Sequence, residues 1–366
     1  MQYIERDGRN MKIERIEISL LEMPYIKPLV TATNNFTVAR GVLVKIVTDS
    51  GTEGYGYSDL FPRTGETPAT ARHVIEAVLR SKVVGREIED LVRIRADMDH
   101  VLTGNPRAKA ALEGAMYDAL ARSVHIPLNL LLGGRFRNEI KIIKMVSVGD
   151  PEVMADEAKQ LVREGLALKL KMSGKIELDL PRVARVRDKV GDDVFIKVDA
   201  NEAYDAKTAI RLAKGLADHG VEIFEQPVPR DQLEALWEVK RQSPIKIEAD
   251  QSVRTTADAA NLIKHRMVDS INTGVQKIGG IQEVRKIAEM CEQAGIRCAL
   301  SNTAGSMVGD AASVHLAAST PGISALCELG EFEVVSGDPF FGLTVERGII
   351  SVPQGEGLGV TLRGSK

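Results

Sequence analysis

The chain has 366 residues, 44% hydrophobic and 27% charged, with a formal net charge of -3. That is enough for a barrel of roughly 200 to 250 residues plus a smaller domain, and it offers no basic excess for nucleic acid. Three cysteines, Cys291, Cys298 and Cys327, are too few and too unevenly spaced for a disulfide framework or a closed zinc site, so a reducing compartment, the cytoplasm, is expected. No run approaches the roughly 20 apolar residues of a membrane helix, so neither a membrane nor nucleic acid is an expected partner; the expected assembly is a homo-oligomer.

Residues 1–10 are polar, lack the apolar core of a secretory signal, and read as a disordered extension. Strands are then expected over 12–21, 40–48 and 54–58, with an Asp49-Ser50-Gly51 turn, forming an antiparallel sheet. Between the first two, the polar stretch 24–39 is expected to be a loop, either an active-site lid or a plain hairpin connection. Helical periodicity follows over 68–79, 88–102 and 106–123, the last with an apolar face of Ala108, Leu112, Ala115, Met116, Ala119 and Leu120. Residues 11–135 therefore read as an α+β domain.

Beyond Arg135 short apolar runs at 140–148, 167–171, 194–199, 221–225, 245–250, 270–274, 296–301 and 323–328 alternate with amphipathic segments. The strand ends recur at roughly the 25-residue length of a βα unit, which predicts eight parallel strands closing into a barrel. Only seven intervening helices are evident. The expectation is an α/β protein: a modified TIM barrel, (β/α)7β, over 136–330, capped by the N-terminal α+β domain, with the tail 331–366 packing back on that domain. A Gly-rich phosphate loop, a Ser nucleophile elbow and a His-Glu-x-x-His motif are all absent from the sequence.

The chemistry is carried by strand ends. Lys169 and Lys171, one residue apart, point to the same side of the sheet. Asp199, Glu225 and Asp250 follow at the ends of the next three apolar runs. Carboxyl ends of barrel strands converge on one face, and three carboxylates there suit a hard divalent cation, Mg²⁺, with positions left for water and substrate. Such an ion beside two lysines makes a site for a small carboxylate substrate. It neutralises charge as a proton leaves the neighbouring carbon to give an enediolate, while a neutral lysine near the cation serves as base. Lys171, nearer the strand end, is the candidate base, with Lys169 as its companion. The alternatives are helix caps for the acids and an internal ion-pair network for the lysines.

Further residues carry a resemblance. The helix core Ala115-Met116-Tyr117-Asp118-Ala119, the stop Leu130-Leu131-Leu132-Gly133-Gly134, Lys169-x-Lys171, Asp199-x-Asn201, Glu225-Gln226-Pro227 and Ile278-Gly279-Gly280-Ile281 occur in that order. In this the chain resembles the enolase superfamily, in its muconate lactonizing enzyme and mandelate racemase branch, from about Met11 onward; that superfamily uses Lys or His bases with Mg²⁺. The resemblance implies that Asp199, Glu225 and Asp250 hold Mg²⁺, that Lys171 is the base with Lys169 beside it, and that Asn201 orients the ligand shell. It also implies that Glu328, ending the eighth barrel strand, is an acidic residue near the substrate. The bland reading of Glu328 is a surface carboxylate close to Glu331 and Glu333.

Three positions depart from the family pattern. Gly274 stands where many members carry a second lysine on the sixth barrel strand, and Leu300-Ser301-Asn302-Thr303 has no histidine at the end of the seventh. Gln251 replaces a frequent glutamate beside the fifth-strand ligand; its loss together with the lysine is a coupled change, because an inward acid without its cation is unfavourable. Lys277 is expected on a loop, with the alternative that a longer strand lets it reach the site and replace the missing sixth-strand base, and Gly274 is expected to open space for a bulkier substrate. With one clear base, the expected chemistry is a dehydratase (lyase) or a cycloisomerase. The alternatives are a racemase or epimerase of an amino-acid derivative or hydroxy acid, a metal-independent Schiff-base aldolase, or an inactive binding barrel. Asn302, Asn34 and Phe36, with Glu328, are the candidate substrate contacts.

Overall fold

The computed structural model describes residues 11–30, 35–60 and 64–364, so the 1–10 extension and Asn34 lie outside the described residues. Strands β1 (Ile13–Val30), β2 (Asn35–Thr48) and β3 (Glu53–Asp59) form an antiparallel sheet in that order. The stretch expected as a loop is largely strand. Pro24 pairs with Val38 and Leu29 with Phe36, with a register shift between. Apart from the buried Ala39, the described residues of this stretch are exposed or half-buried, so the in-out hydrophobic alternation fades while backbone pairing continues.

The helix Pro106–Ser123 lies against this sheet and is buried along nearly its whole length. It comes close because β3 carries Gly54 and Gly56: a Cβ on either would overlap backbone atoms of the helix, at Ala115 and Ala111 respectively. At its start the Glu66 carboxylate accepts from the amides of Arg107 (2.9 Å) and Ala108 (3.1 Å), filling donors that a helix N-terminus leaves open.

The barrel strands are β4 (Glu139–Val146), β5 (Ala167–Lys171), β6 (Ile196–Asp199), β7 (Ile223–Glu225), β8 (Lys246–Ala249), β9 (Ser270–Thr273), β10 (Arg297–Leu300) and β11 (Leu326–Cys327). They pair in parallel in the order β10-β9-β8-β7-β6-β5-β4-β11, and bridges Cys298–Ile323 and Ser301–Glu328 close the ring between β10 and β11. Seven long helices alternate with the strands among the described residues; after β11 there is only the short turn Glu331–Val334, as the (β/α)7β pattern requires.

The tail attaches to both domains. Its strand Ile349–Ser351 pairs antiparallel with β4, which ties it to the barrel, while the Leu358 amide donates to Asp118 in the helix Pro106–Ser123 at 2.7 Å. The expected packing of the tail on the first domain is accompanied by this barrel contact, which three paired residues mark with little periodic signal. The two domains also meet at Gly279-Gly280, both with positive φ; a Cβ on Gly280 would overlap the buried Glu113 carboxylate.

Candidate active site

A cavity of about 480 Å³ lies between the cap and the carboxyl-end face of the barrel. Lys169, Lys171, Asp199, Glu225, Asp250 and Glu328 all line it from the barrel, with Asn201, Gln251, Lys277, Ser301 and Asn302; Tyr25, Leu29, Phe36, Asp59 and Arg107 line it from the cap. The two lysines share the inward face of β5, and the register sets Lys171 beside Asp199 and Asp199 beside Glu225.

Lys169 is enclosed by acids: its Nζ is 2.9 Å from Asp199 Oδ2, 2.8 Å from Glu225 Oε2 and 2.7 Å from Glu328 Oε2. Burial works to lower its pKa, but Asp199, Glu225, Glu328 and Asp250 raise it well above the usual lysine value, so Lys169 is a fixed ammonium. Lys171 Nζ lies nearer the mouth, 2.6 Å from Asp199 Oδ2 and 3.0 Å from Asn201 Oδ1. Asn201 also donates from its backbone and side chain to Asp199 at 2.8 and 3.1 Å. Burial opposes ionisation of Asp199, yet Lys169 and Lys171 pull its pKa below the normal range.

The tight turns after the strands hold this arrangement. Asn201 and Gln226 both have positive φ, an uncommon conformation for such residues that the surrounding hydrogen bonds fix. Gln226 is fully used: its Oε1 accepts from the amides of Asp250 (3.0 Å) and Ser252 (3.1 Å), and its Nε2 donates to Val228 O and Ser252 Oγ. Its role in the Glu225-Gln226-Pro227 motif is thus to position the turn that carries Asp250.

Sequence reasoning missed a second layer beneath the first. Lys197, fully buried, points its Nζ at Glu225 Oε2 (2.7 Å) and at Glu248 and Glu328. Glu248 also receives Ser270 and Arg297, the latter at 2.8 Å. The signal was present in the alternation, since Lys197 stands two residues before Asp199 and Glu248 two before Asp250, as Lys169 does before Lys171. Glu328 belongs to both layers and is buried, which overturns the surface reading. Burial opposes its ionisation, but Lys169 and Lys197 hold it at about 2.

Asp199, Glu225 and Asp250 face one cavity without converging on a common point. Asp250 Oδ1 is turned onto Lys277 Nζ at 2.5 Å. Among the described residues, the three carboxylates within sharing distance of one another are Glu225, Glu248 and Glu328, but Lys197 Nζ fills the middle of that ring, which is closed to solvent. The upper set fits a metal better. Its three residues line the cavity, an ammonium already sits between Asp199 and Glu225, and the buried Glu225 Oε2 accepts no well-formed hydrogen bond despite two lysines in reach. Burial and Asp199 push Glu225 up to about 8 against the pull of Lys169 and Lys197, a strain that further positive charge relieves.

Two expectations about the far side change. Lys277 lies on a short helix, Val275–Ile278, and reaches the cavity, its Nζ donating to Asp250 Oδ1, Asp250 O (2.6 Å) and Asn272 O (3.2 Å). Gly274 opens no space for substrate: a Cβ there would overlap the Ser301 carbonyl oxygen, so its lack of side chain serves the close approach of β9 and β10. Asn302 lines the cavity, but its amide is engaged by Asp310 (2.8 Å) and Ser313 (3.0 Å). Gln251 also lines it, with a buried Oε1 that has no hydrogen-bond partner.

A (β/α)7β barrel whose carboxyl-end face presents acids and lysines beneath an α+β cap is the architecture of the enolase superfamily, whose enzymes are metal-dependent. Comparison with known proteins agrees. Residues 15–133 match the mandelate racemase / muconate lactonizing enzyme N-terminal domain, and residues 153–366 match the enolase C-terminal domain-like family. The chain belongs to this family, and it is an enzyme. It is 35% identical over 360 residues to the L-Ala-D/L-Glu epimerase of Bacillus subtilis (strain 168), covering 96% of this chain and 97% of the relative. To muconate cycloisomerase 1 of Rhodococcus opacus it is 32% identical over 365 residues, covering 96% of each. Among solved structures, the dipeptide epimerase of Enterococcus faecalis V583, complexed with Mg and the dipeptide L-Leu-L-Tyr, superposes with a TM-score of 0.91 at 33% identity, over 96% of this chain and 99% of that one.

Proposed function

We propose that this enzyme removes the proton α to the carboxylate of a small substrate, with Lys171 as the base and Mg²⁺ held by Asp199, Glu225 and Asp250. The observation that carries the reading is the contrast between the two lysines of β5. Lys169 is locked as an ammonium among three carboxylates, which leaves Lys171, at the cavity mouth, to move the proton. When bound, the metal supplies the positive charge that stabilises the enediolate oxygens. The formal charges support an anionic guest: with Lys171 neutral as the base, Lys169, Lys197, Lys277 and Arg297 fall one charge short of Asp199, Glu225, Asp250, Glu248 and Glu328, so a divalent ion leaves one net positive charge for a carboxylate.

Chemistry on one face follows from the state of Lys277, whose ammonium donates to three acceptors and is committed to holding the Asp250 turn. Lys171 then takes the α-proton and returns it to a leaving hydroxyl or to an enolate carbon, as in a dehydratase or cycloisomerase. Epimerisation is the second reading, and one observation favours it: Lys277 does line the cavity. Substrate incubated in D₂O separates them. One-face chemistry predicts α-deuterium exchange with retained configuration in the wild type; racemised, singly deuterated substrate in the wild type, together with a Lys277→Ala variant that still exchanges but no longer racemises, would establish two bases.

A further inference from the structure

Asp179, in the helix Ile176–Val190, is fully buried, and neither it nor Tyr204 lines the cavity. Its carboxylate nevertheless gathers donors from around the site. It accepts from the amides of Ser173 (2.9 Å) and Lys175 (3.1 Å), from Ser173 Oγ (2.8 Å), from Arg182 (3.0 Å) and from the Tyr204 hydroxyl. Ser173 and Lys175 belong to the loop that follows Lys171, and Tyr204 to the loop that follows Asp199. One carboxylate thus ties together the loops after β5 and β6, the strands that end in Lys171 and Asp199. Arg182 compensates its charge and donates as well to Gly149 O (2.8 Å), beyond β4.

The loop after β6 needs such a tie. Asn201 and Glu202 have φ of 46° and 73°, two successive left-handed residues with no glycine between them. A turn of this kind persists only where its surroundings over-determine it. From outside, the Glu202 amide donates to Gln226 O (2.9 Å) and its carboxylate pairs with Arg230 (2.8 and 2.6 Å). From inside comes Tyr204, 4% exposed, with its ring edge-on to Phe224 and its hydroxyl on Asp179. The turn bears on the chemistry because Asn201 donates its amide to Asp199 (2.8 Å) and accepts from Lys171 Nζ (3.0 Å).

We propose that Asp179 and Tyr204 are positioning residues for the site: Tyr204, anchored on Asp179, keeps the Asn201–Glu202 turn wound and so holds Asp199 and Asn201 in register with Lys171. This rests on the reading of Asp199 as a metal ligand and Lys171 as the base. Asp179→Asn turns an NH₂ toward groups that are all donors, so it disturbs both loops. Tyr204→Phe removes one hydrogen bond and keeps the ring.

Two measurements that need no substrate test this on the full chain: hydrogen–deuterium exchange by mass spectrometry over residues 196–205, and Mg²⁺ affinity by calorimetry. In Tyr204→Phe, exchange of the turn should quicken about 10-fold or more, since local opening becomes easier. Its Mg²⁺ affinity should fall about 10- to 100-fold, the range seen when groups behind metal ligands are removed. Asp179→Asn should weaken Mg²⁺ at least as much, and the double variant no further than Asp179→Asn, because the tyrosine acts through the carboxylate. Asp118→Asn is the comparator, another buried carboxylate that accepts two amides, from Tyr55 (2.9 Å) and Leu358 (2.7 Å), but on the cap helix. It should lower stability and leave Mg²⁺ affinity within about 2-fold of wild type, as expected of a distant site. If Asp179→Asn does not fold, Tyr204→Phe against Asp118→Asn decides. Unchanged exchange in Tyr204→Phe, which would make the Glu202–Arg230 pair sufficient, overturns the proposal. So does Mg²⁺ affinity that is unaltered in Tyr204→Phe or equally weakened in Asp118→Asn. Faster exchange of the turn in a protein whose wild type binds no Mg²⁺ upholds the tie and instead contradicts the metal reading.

Discussion

At the residue scale, the barrel floor is held together by Lys197, which has no solvent contact and is ringed by Glu225, Glu248 and Glu328. Burial alone would lower its pKa, but the three acids more than reverse that, so it remains charged. Removing one partner of a buried ion cluster leaves uncompensated charge and costs about 3–5 kcal/mol. Lys197→Met is therefore expected to lower stability by that amount in urea denaturation, and pairing it with Glu248→Gln should recover part of the loss. A cost below about 1 kcal/mol for the single variant contradicts the structural role. The upper site was legible in the sequence because Lys171, Asp199, Glu225 and Asp250 end successive apolar runs. Lys197 and Glu248 were equally visible by alternation, but inside short runs they read as interruptions of strands whose acids had already been assigned.

At the element scale, the helix Met307–Ser319 joins the barrel to the tail through His315. Its Nδ1 lies 3.2 Å from the Asn129 amide and its Nε2 3.2 Å from Leu358 O, an arrangement that suits the neutral ring. Burial depresses its pKa to about 4, against an ordinary 6.5. The unfolded chain binds a proton at His315 below about pH 6.5 and the folded one only near 4. Unfolding thus takes up a proton in that window, and stability falls as pH falls, by roughly 3 kcal/mol across it. Glu113 and Asp310, each raised by burial to about 7, act in the opposite sense, so the effect is read as a difference. The wild type should lose more stability than His315→Gln between pH 6.5 and 4; parallel pH profiles for the two contradict the assignment. Elements such as the helix Pro106–Ser123 and the alternation of β5 to β11 with helices were readable from periodicity. The extension of the β1–β2 pairing beyond Leu21 and Arg40 and the tail strand on β4 were not, since their pairing partners lie far along the chain or beyond the core, where no apolar pattern marks them.

At the scale of the whole molecule, the cavity proposed for the metal and the substrate is lined by both domains, so ligands that bind there stabilise the assembled fold. Mg²⁺ at about 100 times its Kd should raise stability by about 2.7 kcal/mol, EDTA should reverse the gain, and Asp250→Asn should diminish it. An unfolding transition that is the same in Mg²⁺ and EDTA contradicts the metal site. Family and barrel topology were legible from motif order and spacing. Substrate class was not, because the cap-side lining of the cavity is assembled from β1, β3 and the turn after β11, residues that only folding brings together. The most direct test of the central claim is metal-dependent α-deuterium exchange into a bound carboxylate, compared between wild type and Lys171→Ala. The account predicts a loss of about 100- to 10,000-fold in the variant with Mg²⁺ binding retained. Exchange by Lys171→Ala at the wild-type rate contradicts it.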